Sequence, residues 1–324
     1  MRFKEASFYK RLNDKKVHCK LCPHKCIIGN GETGKCKVKQ NVDGKLKAMN
    51  YGKIYLSRTN PIEELGFFHF LPGNEALLIS SVGNILDKEW YENELSGKDV
   101  DNIPTVNQTP SQIGKDVLKK KINIICHGYN EPMMSYEFVD DLITNNKSLK
   151  HVIQTNAFIE EDPLKEISKK LNGAVVEIRG MTEDFYKNVL DGNLDSVLKS
   201  TKILYNEGVW LEIYMPVITE IHYSLYDVRK IISWVLNNLG SEVPLHFVSK
   251  NYVDEQLLKK ARKIAIDAGM KYVYSHIPGW EEGVTTFCSE CKRKLVTREN
   301  NNLIENNIKE GKCTCGKKIP GVWH

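Results

Sequence analysis

The residues able to do chemistry are nine cysteines, unevenly spread over 324 residues. Cys19, Cys22, Cys26 and Cys36 lie near the start, Cys288, Cys291, Cys313 and Cys315 near the end, and Cys126 between them. Four thiolates at each end match the coordination number of tetrahedral zinc and of a 4Fe–4S cubane. The first quartet has the order His18-Cys19-Lys20-Leu21-Cys22-Pro23-His24-Lys25-Cys26, followed by Gly34-Lys35-Cys36. A C-x2-C turn lets two thiolates approach one ion while the backbone amides of the turn point at sulfur. Pro23, Gly29, Gly31 and Gly34 suit a looped, metal-pinned segment. His18 and His24 could replace a thiolate or brace one. Zinc or a 4Fe–4S cluster is the expected occupant, and spacing does not choose between them.

The second quartet pairs Cys288-Ser-Glu-Cys291 with Cys313-Thr-Cys315-Gly316 across a linker of 21 residues. Two knuckles at that separation resemble a zinc ribbon or a rubredoxin-like hairpin, with zinc expected over iron. The second knuckle, C-x-C, is one residue tighter than the usual geometry. That spacing puts four-sulfur ligation in question and offers His324 as a substitute ligand.

What must position these groups is legible from periodicity. Apolar runs predict strands at Ala76–Gly83, Ile122–Cys126, His151–Thr155, Gly173–Ile178, Val209–Tyr214, Pro244–Val248 and Lys271–Tyr274. Amphipathic runs predict helices at Ser111–Lys120, Met134–Thr144, Pro163–Lys170, Asp195–Glu207, Leu225–Asn238 and Glu255–Ala268. Pro110 and Pro163 stand where helices start, and Gly208 and Gly269 where they end. Strand-then-helix repetition implies parallel strands with right-handed crossovers, hence an α/β barrel or partial barrel with its chemistry at the strand C-termini. Polar residues gather there: His127 to Pro132 with Glu131, Gln154-Thr155-Asn156, Glu177 and Arg179, Met215-Pro216, and His246 with Lys250. Glu131 and His246 are the candidate catalytic residues. Cys126-His127 beside Glu131 reads either as nucleophile and base or, more simply, as a buried thiol.

Composition narrows the class. Apolar residues make up 41% and charged residues 27%, as in globular proteins, and the net charge is +5. That charge is too modest to argue for a nucleic-acid partner. No apolar run approaches the roughly 20 residues of a membrane span. Residues 1–10 lack a signal-peptide core, so the expected location is the cytoplasm, where paired cysteines mean metal rather than disulfides.

The order of short motifs resembles the AmmeMemoRadiSam-system radical-SAM proteins, relatives of pyruvate formate-lyase activating enzyme, across nearly the whole chain. The matching pieces include Cys19 to Cys26, Gly34 to Val38, Tyr51-Gly52-Lys53, Asn60 to Glu63 and His69 to Gly73. Further matches are Tyr129 to Pro132, Thr155-Asn156, Thr182 to Tyr186, Glu207 to Glu212, Val243 to Phe247, Ala268 to Tyr274 and Ile319 to Trp323. The resemblance implies a radical-SAM-type, partial TIM-like parallel barrel with small cysteine-rich segments at both ends. It also implies a C-x3-C-x2-C loop after the first strand, whose thiolates hold a 4Fe–4S cluster that chelates S-adenosylmethionine. The corresponding loop here, Ser81 to Ser96, contains no cysteine, and its Asp87 and Glu89 are hard ligands unsuited to iron–sulfur. Glu131 occupies the place of the family's carboxylate for the amino group of S-adenosylmethionine. With Asn156 and Arg179 it marks the implied binding pocket. Arg179 stands where the family has Lys, Ala157 where a Gly follows Thr-Asn, and Thr219 to His222 where a turn of Pro-Gly-Asn-Asp is expected.

These readings divide the chain at 1–75, 76–280 and 281–324: a cysteine-rich segment, the barrel, and a zinc-ribbon or rubredoxin-like segment. The expected function is that of a degenerate radical-SAM-family metalloprotein without the S-adenosylmethionine-cleaving cluster. It would act as a scaffold, metal carrier or subunit of a larger metalloprotein assembly. The rival readings are an active radical-SAM enzyme with unusual cluster ligation and a non-radical S-adenosylmethionine-dependent enzyme. The residues leave open whether the chain is an enzyme, and S-adenosylmethionine lacks its iron anchor.

Overall fold

The computed structural model describes residues 3–86, 100–218, 225–249 and 254–324. Most of the Ser81–Ser96 loop, with Asp87 and Glu89, lies outside them, as do Thr219 to His222 and Lys250. The chain forms two compact units, one of residues 1–59, 76–172 and 183–209, the other of 60–75, 173–182 and 210–324.

The first unit is built on three parallel strands, β1 (Glu75–Ser81), β2 (Ile124–His127) and β3 (Lys150–Thr155). Ile124 is in register with both Ala76 and Lys150. These strands are buried on both faces, so they read as continuous apolar runs. Helices α1 (Pro110–Lys119), α2 (Tyr136–Asn145), α3 (Glu161–Ser168) and α4 (Leu194–Asn206) belong to the same unit. A capping box starts α1: the Gln112 N–H donates to Thr109 Oγ1 at 3.2 Å, and the Thr109 N–H donates to Gln112 Oε1 at 2.8 Å. One turn apart, Ile113 and Val117 of α1 pack with Leu77, Ile79, Ile125, Phe138 and Leu142 in one apolar cluster. Two small antiparallel sheets precede this core, one of Lys4–Glu5, Lys39–Val42 and Lys45–Ala48, the other of Tyr9–Arg11, Val17–Cys19 and Ile27–Ile28.

The second unit has four parallel strands, β4 (Gly173–Glu177), β5 (Trp210–Pro216), β6 (Leu245–Val248) and β7 (Val273–Ser275), with helices α5 (Tyr226–Asn238) and α6 (Glu255–Asp267). Among the described residues β7 pairs with β6 and with no further strand, so the sheet is open there. An antiparallel sheet of β8 (Thr286–Phe287), β9 (Lys294–Glu299) and β10 (Asn302–Asn306) follows. All seven expected strands and six expected helices are present, and the α/β class with parallel strands stands. No helix among the described residues is long and apolar enough to cross a membrane.

The loops after β1, β2 and β3 each hold a non-glycine residue in the left-handed region: Leu86 at φ 65, Tyr129 at φ 69 and Ala157 at φ 55. Ala157 is held there by its neighbours. Its own N–H donates to Thr155 Oγ1 at 3.0 Å, and the Phe158 N–H donates to Asn156 Oδ1 at 3.1 Å. A Cβ in this region costs about 1–2 kcal/mol, partly offset by the larger unfolded-state entropy of glycine. Ala157→Gly is therefore expected to raise the unfolding free energy by about 0.5–1 kcal/mol, read from urea midpoints. A loss of stability would show that the methyl group packs favourably enough to outweigh the strain.

Candidate metal centre and strand-end residues

At the C-terminus the four sulfurs of Cys288, Cys291, Cys313 and Cys315 all lie within 4.8 Å of one another. Cys288 Sγ is 3.6 Å from Cys315 Sγ, and Cys291 Sγ is 3.6 Å from Cys313 Sγ. Four sulfurs at about 2.3 Å from a tetrahedral ion would be about 3.8 Å apart, so the set fits one metal. The tight C-x-C knuckle does not break the quartet, and the reason lies in the turns. In the first knuckle the Lys292 N–H closes on Cys288 O at 3.1 Å, four residues back. In the second the Gly316 N–H closes on Cys313 O at 2.8 Å, three residues back. The turn has contracted with the spacing. Each closes through a left-handed residue, Lys292 at φ 59 and Gly316 at φ 93. The Cys315 backbone N–H at the Cys313 sulfur lowers the pKa of that thiol, while the Cys313 sulfur in turn raises that of Cys315, so the two titrate as a pair. His324 is exposed and outside the group. Cys288 and Cys313 are buried in a cluster with Phe68, Tyr272, Tyr274, Val284, Leu295 and Ile319, whereas Cys291 and Cys315 are exposed.

Among the described residues this is the group of mutually close metal-ligating atoms. Cys19, Cys22, Cys26 and Cys36 share one segment without meeting that closely. Burial pushes the Cys19 thiol up to about 11 and raises Cys22 and Cys36 as well. His24 packs edge-on against Phe158, ring centroids 5.2 Å apart.

In the first unit Glu131 is buried and caps the turn Pro132–Ser135. Its Oε1 accepts from Thr155 Oγ1 at 2.9 Å and Met133 N at 3.1 Å, and its Oε2 accepts from Asn156 N at 2.9 Å. Asn156 Nδ2 donates to Ile85 O at 3.0 Å. Glu131 and Asn156 are therefore brought together, tying the loops after β1, β2 and β3. His127 Nε2 meets His151 Nδ1 at 3.2 Å, and His151 Nε2 donates to Asn146 O at 3.1 Å. Cys126 is fully buried, which raises its thiol pKa, and it packs as a small apolar side chain rather than a nucleophile.

Arg179 and His246 belong to the second unit. Arg179 Nε donates to Glu177 Oε1 at 2.6 Å. His246 is fully buried between two partners, with Nε2 3.0 Å from Glu212 Oε2 and Nδ1 3.0 Å from His276 Nε2. Glu212 also accepts from the N–H groups of Phe68 at 2.9 Å and His69 at 2.8 Å and from Trp210 Nε1 at 3.1 Å. Burial raises the Glu212 pKa, while these three donors, which cannot accept, favour the carboxylate. Sequence reasoning missed Glu212, His276 and the buried Arg298. A lone acid inside the apolar run Trp210 to Tyr214 was the one available signal.

Burial lowers the pKa of His69 and of His151 to about 4, and lowers those of His127, His246 and His276. Unfolded, these imidazoles titrate near 6.5; folded, they stay neutral until lower pH. Their contribution is fully present above about pH 6.5 and is lost as pH falls towards 4. His69 and His151 each contribute about 2 kcal/mol of destabilisation at pH 5 relative to pH 7.5. Urea midpoints should fall between those pH values, and His151→Leu should flatten the slope while lowering stability at pH 7.5. A pH-independent midpoint would contradict this. Metal analysis should return one zinc or iron per C-terminal quartet, and Cys288→Ser should remove it and lower the melting temperature.

No family model matches the chain. The uncharacterized protein MJ0808 of Methanocaldococcus jannaschii is 34% identical over 333 residues, covering 98% of this chain and 98% of that one. The chain belongs to the MJ0808 family. The 4-hydroxyphenylacetate decarboxylase activating enzyme of Clostridioides difficile is 22% identical over 169 residues, 45% of this chain and 53% of the enzyme, so the match spans about half of that relative. Among solved structures, Streptococcus suis SuiB bound to precursor peptide SuiA matches at 12% identity and TM-score 0.45, over 55% of this chain and 44% of that chain. QueE from Escherichia coli matches at 12% identity and TM-score 0.41, over 70% of this chain and 94% of that chain. The α/β assignment of this family member rests on its own strand order.

Proposed function

We propose that the chain is a radical-SAM-superfamily metalloprotein that keeps the α/β scaffold and has lost the cluster that cleaves S-adenosylmethionine. In this reading it works in the cytoplasm as a scaffold, metal carrier or subunit of a larger metalloprotein assembly. The observation that carries it is the absence of any cysteine between Cys36 and Cys126, the stretch that includes β1 and the loop after it. Three thiolates there are what a cluster with one open iron requires. The sequence similarity to an activating enzyme supports the superfamily. The motif order supports the AmmeMemoRadiSam-system branch.

The metal centre in this reading is the C-terminal quartet, which would hold zinc as a cross-link between the two knuckles. The N-terminal quartet would hold zinc or a 4Fe–4S cluster with four thiolates and no open iron. Glu131 fits the role of a positioning residue, since its carboxylate already accepts from three groups of its own chain.

A second reading, an active enzyme with unusual cluster ligation, is favoured by one observation. Leu86, Tyr129 and Ala157 place left-handed backbone after three successive strands, and such strain gathers at functional sites. The test is anaerobic reconstitution with iron and sulfide, followed by metal analysis, an absorption spectrum and an assay for S-adenosylmethionine cleavage under dithionite. A protein with four-thiolate metal and no cleavage supports the first reading. Cleavage that Glu131→Ala abolishes establishes the second.

A further inference from the structure

Charge is unevenly divided along the chain. Residues 1–60 hold 15 Lys and Arg against 4 Asp and Glu, while residues 61–324 hold 31 against 37. The modest net charge is therefore the sum of a basic N-terminal segment and an acidic remainder. Part of that basic charge is answered within the first unit. Lys4 reaches Asp141 at 2.7 Å, Lys15 reaches Asp43 at 3.1 Å, Lys25 reaches Glu160 at 3.2 Å and Lys35 reaches Asp191 at 2.7 Å.

Lys10, Lys16 and Lys20 are not answered in this way. Among the described residues no carboxylate lies within ion-pair distance of any of them. They stand together on the small sheet of Tyr9–Arg11, Val17–Cys19 and Ile27–Ile28. Lys10 lies opposite His18 and His18 opposite Ile27, so these three form a row on one face. Leu12 and Lys16, two residues along their strands from Lys10 and His18, form the next row, with the Leu12 N–H donating to Lys16 O at 2.8 Å. Val17, Cys19 and Ile28 take the opposite face and are buried. Lys10 sits beside Lys20 and lowers its pKa, and the Asp162 carboxylate opposes this only in part. Even counting Asp162 and the turn residue Asp14, the face keeps a net positive charge.

Among these lysines are two aliphatic side chains without cover. Ile27 is 66% exposed and Leu12 42% exposed. An apolar centre with a charged rim is the composition of a protein–protein interface, and the sign of the rim selects the partner's charge. A nucleic acid fits the face less well. It presents no Phe, Tyr or Trp on which a base could stack and no arginine for a bidentate contact. A lipid surface fits less well too, because three lysines fall short of the roughly four to eight cations of a lipid-binding cluster.

We propose that this face docks an acidic segment of a partner protein, one whose carboxylates flank an aliphatic side chain. Lys10, Lys16 and Lys20 receive the carboxylates, and Leu12 and Ile27 receive the aliphatic group. The proposal rests on the assembly reading above for the existence of a partner. Its test involves neither S-adenosylmethionine nor metal, so each can fail without the other.

The test uses the full chain and a fluorescently labelled peptide of alternating Glu-Glu-Leu units, read by anisotropy at low ionic strength. The comparison probes are the same peptide with Gln for Glu, a polyglutamate of equal length, a single-stranded oligonucleotide, and vesicles of phosphatidylcholine and phosphatidylserine. Saturable binding of the Glu-Glu-Leu peptide is expected, at least fivefold weaker for the Gln peptide and for polyglutamate. Lys10→Glu should weaken it at least fivefold and Ile27→Ser at least threefold, both at an unchanged melting temperature. Lys260→Glu, an equal change of net charge at an exposed position of α6, should leave it unchanged. Because Lys10 is exposed, that arm stands even if Ile27→Ser fails to fold. No saturable binding, equal binding of the Gln peptide or of polyglutamate, tighter binding of the oligonucleotide or the vesicles, or equal effects of Lys10→Glu and Lys260→Glu overturns the proposal.

Discussion

A carboxylate sealed from water must find its hydrogen-bond donors inside its own chain, and Glu212 finds four. Two of them are successive backbone amides, Phe68 and His69, so this side chain fixes a stretch of main chain that has no ladder partner at those amides. The same stretch is held from its other side. The carbonyl of Phe68 accepts from Arg298, that of His69 accepts from the Val322 N–H at 2.8 Å, and the Leu71 N–H donates to Val322 O at 2.7 Å. Residues far apart in sequence thus converge on a short irregular segment through polar contacts. The aromatic rings of Phe68, Tyr272 and Tyr274 then pack around it with the buried sulfurs. Removing the carboxylate would leave buried N–H groups unpaired, each costing about 1–3 kcal/mol.

Five imidazoles are kept neutral in the two units, and burial is the leading cause for each. Neutral rings can be passed hydrogen bonds in series without accumulating charge, as between His246 and His276. His127 and His151 do the same in the first unit, ending on the Asn146 carbonyl.

The strand and helix positions were legible because parallel strands buried on both faces must be apolar throughout, while helices covering them must be amphipathic. The two C-terminal knuckles were legible from spacing, but whether all four sulfurs of Cys288, Cys291, Cys313 and Cys315 would meet was left in question by the tight C-x-C. The contraction of the second turn was not legible, because it depends on backbone closure at Gly316 and not on residue type at the cysteines. Glu131 and Asn156 could be placed at strand ends. Their mutual hydrogen bond depends on loop conformations that propensity does not encode, the left-handed Ala157 among them. Glu212, His276 and Arg298 escaped for a different reason. Each has a partner 30 or more residues away in sequence, His246 for Glu212 and His276, and Phe68 for Arg298, and no local pattern records such pairings. Arg298, in a strand of otherwise ordinary composition, carries no sequence sign that it is buried.

The burial pattern of the four C-terminal sulfurs has a chemical consequence. Two face the apolar interior and two face water, so an ion bound there is half wetted. A competing thiol or chelator could displace Cys291 and Cys315 in turn while Cys288 and Cys313 keep their grip, and the knuckles need not unfold for the exchange to begin. An ion held by this quartet would be open to ligand substitution from its exposed edge at Cys291 and Cys315.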